Sequence, residues 1–98
     1  MLTIEEIRKA VSKVGKKYGI RNAYLFGSYA KNIATEKSDV DIIIDDGGNI
    51  RSLIELSGFR LELIDELGGA EVDVLTVDGV KPKFFDLIKN ERVLVYGT

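Results

Sequence analysis

Ser38-Asp39-Val40-Asp41-Ile42-Ile43-Ile44 is the stretch on which the fold turns. From Val40 to Ile44 every residue but one is β-branched, the composition of a strand with at least one buried face. Asp39 and Asp41 stand two residues apart, so on an extended chain they project from one face, roughly 7 Å apart along the backbone. Val40, Ile42 and Ile44 take the opposite face and need a cover. The acids lead into the apolar run and follow the polar segment Thr35-Glu36-Lys37-Ser38, which places them at the beginning of the strand.

Upstream, Ala23-Tyr24-Leu25-Phe26 reads as a short buried strand, cut off by Gly27-Ser28 and followed by a short helical turn through Ala34. Glycine lets a backbone approach a ligand closely, and Ser28 adds a hydroxyl. If residues 29–34 are helical, their free N–H groups form an anion site at the helix N-terminus. Nearer the start, Thr3 with Glu6 three residues later has the capping-box pattern. Ile4, Ile7, Val11, Val14 and Tyr18 then recur at helical spacing, and Gly19 supplies a stop, which predicts a helix over residues 3–18. Its basic residues, Arg8, Lys9, Lys13, Lys16 and Lys17, suit a solvated face toward the negative end of the helix dipole, with a partner-docking face as the alternative.

Downstream, residues 45–49 read as a loop. Ile50, Leu53, Ile54, Leu61, Ile64 and Leu67 mark a second long helix ended by Gly68-Gly69, with Gly58 inside it as a point for a kink. Residues 71–77, Glu-Val-Asp-Val-Leu-Thr-Val, form a third strand that carries Asp73 where an apolar residue is expected. Pro82 suits the first position of a last helix running to about residue 90, and residues 92–96 close the chain as a strand. The order α-β-α-β-α-β-α-β predicts an α+β fold, a small mixed sheet covered by helices, in a single domain over residues 1–98.

Composition removes most chemistries. The chain has 98 residues with no cysteine and no histidine, so disulfides, thiol catalysis, zinc sites and a Ser–His relay are excluded. Carboxylates, hydroxyls and amines remain, and carboxylates select hard cations such as magnesium or manganese. A formal net charge of -2 argues against broad electrostatic capture of nucleic acid, so no direct nucleic-acid partner is expected. No apolar run is long enough to span a bilayer, and residues 1–10 lack a signal-peptide core, which predicts a cytoplasmic protein without a membrane partner.

Asp39, Asp41 and Asp73 are therefore the candidate catalytic and metal-ligating residues, and Gly27 with Ser28 the candidate phosphate cradle. Burying an unpaired carboxylate costs several kcal/mol, whereas a divalent cation reverses the preference of clustered acids for their protons. In haloacid-dehalogenase-type phosphatases and many glycosyltransferases the acid pair follows its hydrophobic strand, the reverse of the order here. No segment has the ligand spacing of an EF-hand loop.

Leu25-Phe26-Gly27-Ser28-Tyr29-Ala30 and Ser38-Asp39-Val40-Asp41-Ile42, with ten residues between Ser28 and Asp39, resemble the signature of the DNA-polymerase-β-type nucleotidyltransferases. Val72-Asp73-Val74 resembles its third acid, and the length resembles the minimal branch, the MNT antitoxins that act beside HEPN ribonuclease toxins. One departure is Tyr29, where many relatives carry a basic residue, with Lys31 two positions on. The resemblance implies a nucleotidyltransferase fold and transfer of AMP from ATP to a hydroxyl, a tyrosine of a HEPN-type toxin encoded nearby. It implies two Mg²⁺ ions (Mn²⁺ as a substitute) held by Asp39, Asp41 and Asp73, with Asp73 also helping to take the proton, and the triphosphate on Gly27 and Ser28. A non-catalytic antitoxin that masks its toxin and a small-molecule nucleotidyltransferase are the alternatives.

Overall fold

The capping box forms as the sequence predicts. In the computed structural model, which describes residues 1–97, the Thr3 hydroxyl accepts from the Glu6 amide at 3.1 Å and the Glu6 carboxylate accepts from the Thr3 amide at 3.0 Å. They start helix α1 (Ile4–Tyr18), which ends on Gly19 in the left-handed conformation at φ 69°. Strand β1 (Asn22–Phe26) runs into the short helix α2 (Gly27–Ala30), and strand β2 (Val40–Asp45) follows a loop. Helix α3 (Leu53–Glu66), strand β3 (Val72–Thr76), helix α4 (Pro82–Leu87) and strand β4 (Val93–Tyr96) complete the predicted alternation.

The strands form one mixed sheet in the order β3-β2-β1-β4. β1 lies antiparallel to both β2 and β4, while β2 and β3 are parallel. A parallel pair needs a crossover connection, and α3 provides it. Period-two alternation then divides the residues between the two faces. Ala23, Leu25, Val40, Ile42, Ile44, Val72 and Val95 join one buried core with Ile7, Val11 and Val14 of α1 and Phe59 and Leu63 of α3. At about 25 cal/mol per Å² of apolar surface, burial on this face is the main stabilising term. On the opposite face α4 packs over β1, with Phe84 edge-on to Phe26 at 5.8 Å and Phe85 edge-on to Tyr24 at 6.0 Å.

Several expectations need correction. α2 ends at Ala30 rather than Ala34, because Asn32 adopts φ 60° and breaks the helical path. α3 starts after Ser52, whose hydroxyl accepts from the Glu55 amide at 3.1 Å, so Ile50 lies outside it. Its Leu53, Ile54 and Leu61 face solvent at 81%, 85% and 59% exposure, and Phe59 and Leu63 reach the core instead. Gly58 marks no break in the helix: a Cβ there would lie 2.9 Å from the Tyr18 hydroxyl oxygen, so the missing side chain admits Tyr18. That hydroxyl donates to Glu62 at 2.5 Å, and the Tyr18 ring sits edge-on to Phe59 at 5.3 Å. α4 stops at Leu87, and the third and fourth strands are one or two residues shorter than expected, within the usual fraying of element ends.

Candidate active site

The parallel register of β2 and β3 sets Asp41 opposite Asp73, and the antiparallel register of β1 and β2 sets Asp41 opposite Phe26. Register partners share a face, so Asp73, Asp41 and Phe26 form a row across the sheet on the side away from α1 and α3. Asp39 lies one residue before β2 rather than within it, and is exposed, as is Asp73; Asp41 is half-buried. Burial, followed by the charges of Asp73 and Asp39, pushes the Asp41 carboxyl above its ordinary range. Asp73 and Asp39 therefore both lie close enough to act on Asp41.

Gly27 closes this row from the side of β1. It adopts φ 74°, and a Cβ placed there would collide with the Asp41 carboxylate, its Cγ only 3.2 Å away. Both the conformation and the approach require glycine. The β1–α2 junction thus holds its backbone directly against Asp41, with half-buried Ser28 next in line. Tyr29 points the other way, into the main core at 8% exposure, so the residue after Gly-Ser is a packing residue in this chain. Lys31 pairs with Glu91 at 3.4 Å.

The donor chemistry of the three acids, oxygen only, suits a hard divalent cation. They are neighbours without being gathered: among the described residues no three acidic groups stand at the spacing of a metal ligand set. The raised Asp41 carboxyl reflects its burial first and the neighbouring charges of Asp73 and Asp39 second. Beside Asp39 runs a groove of about 750 Å³ bordered by Ser38, Gly68, Gly69 and Glu71.

An aromatic wall on the β1 side escaped the sequence reading. Phe26 stands in register with Asp41 and carries Phe84 on its ring, and alongside them Arg92 lies over the rings of Tyr24 and Phe85, 4.8 Å and 4.4 Å from their centroids. The signal available was Phe84-Phe85 just after Pro82, two large apolar residues on a helix of barely two turns. No helix of the described residues is long and apolar enough to cross a membrane.

The chain is 40% identical over 94% of its length, and 97% of the other chain, to a Methanocaldococcus jannaschii protein provisionally named a protein adenylyltransferase. It is 32% identical to the protein adenylyltransferase MntA of Thermococcus cleftensis over 97% of this chain and 98% of that one. Two solved structures share the fold. One is a toxin–antitoxin crystal structure with AMP-PNP, in which a chain matches with a TM-score of 0.76 at 21% identity, over 99% of this chain and 75% of that one. The other is a tri-AMPylated HEPN toxin from Shewanella oneidensis in complex with an MNT antitoxin; a chain of it matches with a TM-score of 0.72 at 18% identity, over 98% of this chain and 74% of that one. The family model described as polymerase beta, nucleotidyltransferase, matches residues 8–98. By its Gly-Ser turn, its in-register acids and its match over almost the whole length, this chain belongs to the polymerase-β nucleotidyltransferase family.

Proposed function

We propose that this chain transfers AMP from ATP to a tyrosine hydroxyl of a HEPN-type ribonuclease toxin and so acts as its antitoxin. The observation that carries the reading is Gly27, whose backbone is pressed against Asp41 while Asp73 lies in register beside it. A phosphate cradle and a carboxylate cluster thereby share one corner of the sheet. The names of the two sequence relatives and the AMPylated toxin in one structural neighbour support the protein acceptor and the adenylyl donor.

Gly27 and Ser28 hold the triphosphate through backbone amides at the start of α2 and the Ser28 hydroxyl. Asp39, Asp41 and Asp73 are the residues that would hold Mg²⁺, two ions in all, with Mn²⁺ able to replace it. Bound there, such cations neutralise phosphate charge and lower the pKa of the acceptor hydroxyl. The acceptor side chain approaches the sheet face that carries Asp41 and Asp73. Its hydroxyl oxygen forms the new bond to the α-phosphorus, the bond from that phosphorus to the bridging oxygen breaks, and pyrophosphate leaves. Asp73, exposed at the rim, takes the hydroxyl proton.

Incubation with ATP, Mg²⁺ and the purified toxin, followed by intact mass, tests this directly. The toxin is expected to gain the mass of one or more AMP groups, and the adduct to map to tyrosine. Asp41→Asn keeps size and removes charge, so this variant is expected to bind the toxin and add nothing. Equal one-to-one neutralisation by wild type and variant, with the toxin mass unchanged, would mean masking by binding alone.

A further inference from the structure

We propose that the ring of Phe84, backed by Phe26, is the platform on which the base of the incoming nucleoside triphosphate stacks, and that it gives this chain a preference for purine over pyrimidine triphosphates. The inference rests on the transferase reading and adds a base subsite to it.

Position comes first. Phe26 is the register partner of Asp41, one strand away and on the same face, which is a separation of about 4.8 Å. α4 brings Phe84 over Phe26 at 5.8 Å with the rings 84° apart. A nucleotide with its phosphates on Gly27 and Ser28 and its α-phosphorus over Asp41 has two directions for its base. Toward β3 it meets the Asp73 carboxylate, a poor neighbour for an aromatic face. Toward β1 it meets Phe26 and Phe84.

Availability comes second. An edge-to-face pair uses the flat surface of only one of its rings, and both Phe26 and Phe84 are half-buried, so part of the pair stays accessible to a ligand. The second aromatic pair is already engaged, because the Arg92 guanidinium lies over both Tyr24 and Phe85. The fold thus covers one aromatic pair with its own cation and, among the described residues, leaves the Phe26–Phe84 pair, in register with Asp41, without one. Stacking on a phenyl face reads area rather than hydrogen bonds, so the two-ring purines gain most and adenine is not separated from guanine by this contact.

The chain contains no tryptophan, so Phe84→Trp introduces a single reporter at the platform. With Mg²⁺ present, ATP is expected to quench its emission and inorganic triphosphate to leave it unchanged. Phe85→Trp, beneath Arg92, is expected to respond to neither. Phe84→Leu keeps apolar bulk against Phe26 but removes the flat ring. It is expected to raise KM for ATP about tenfold, ~1.4 kcal/mol, with kcat little changed and the ATP-to-CTP ratio of kcat/KM collapsing toward one. The platform is overturned if wild type transfers AMP while Phe84→Leu keeps the wild-type ATP-to-CTP ratio. Equal quenching by inorganic triphosphate, or an equal response from Phe85→Trp, overturns it as well. Base-dependent quenching in a protein that adds no AMP to any toxin supports the platform and removes the transferase reading instead.

Discussion

Asp41 has Asp73 in register beside it, the charge of Asp39 acting on it, and the Gly27 backbone against its carboxylate, so ionising it is unfavourable on burial and charge alike. A carboxyl raised above its ordinary pKa of 3.8 contributes stability that is fully present below that value. The contribution is lost as pH rises through the higher folded value. Without divalent ions the wild type is therefore expected to lose stability from acid toward neutral pH relative to Asp41→Asn, which cannot ionise. Urea denaturation of both proteins across that range measures the difference. A variant less stable than wild type at neutral pH, without metal, would show that the charged Asp41 is satisfied by the fold itself. Divalent metal should invert the order, because a cation favours the ionised form that only the wild type can offer.

Helix α3 shows how an element can be legible in the sequence while its buried face is not. Apolar residues occur almost all around it, so helical periodicity identifies a helix and leaves its inner face open. The core selects Phe59 and Leu63, both fully buried, while Leu53, Ile54 and Leu61 stay in solvent. Gly58 suits that choice, since the Tyr18 hydroxyl lies 2.9 Å from where a Cβ would be and the Tyr18 ring packs edge-on to Phe59. Phe59→Ala is accordingly expected to cost about 3–5 kcal/mol, as for a large aromatic removed from a packed core. Leu53→Ser and Leu61→Ser are expected to stay within about 0.5 kcal/mol of wild type. Thermal and urea midpoints of the three variants check this. A loss at Leu61 as large as that at Phe59 would mean that the helix presents its other side to the sheet.

At the scale of the whole molecule, the sheet order β3-β2-β1-β4 brings together residues as far apart in sequence as Gly27 and Asp73. The acids belong to one edge of that assembly, so a cation bound among them ties β2 to β3 and favours the folded state. Mg²⁺ or Mn²⁺ at a hundredfold excess over its dissociation constant is expected to stabilise the fold by about 2.7 kcal/mol. Asp39→Ala with Asp41→Ala should abolish the effect. Calorimetry with and without metal reads it, and a shift that survives the double substitution would put the ion elsewhere on the protein.

Much of this was legible before any tertiary contact was known, because it is local. The alternation of Val40, Ile42 and Ile44 against Asp39 and Asp41, the Thr3–Glu6 capping box and the glycine ending β1 are encoded within a few residues, where backbone sterics and side-chain period decide. The eight elements and their order followed from those signals. Four matters awaited the fold: the pairing of Asp73 with Asp41, the burial of Tyr29, the solvent-facing side of α3, and the aromatic wall that α4 lays beside the acids. Each depends on which strand pairs with which and in what register. That choice is made by the shared burial of distant apolar faces, and no window of neighbouring residues contains it.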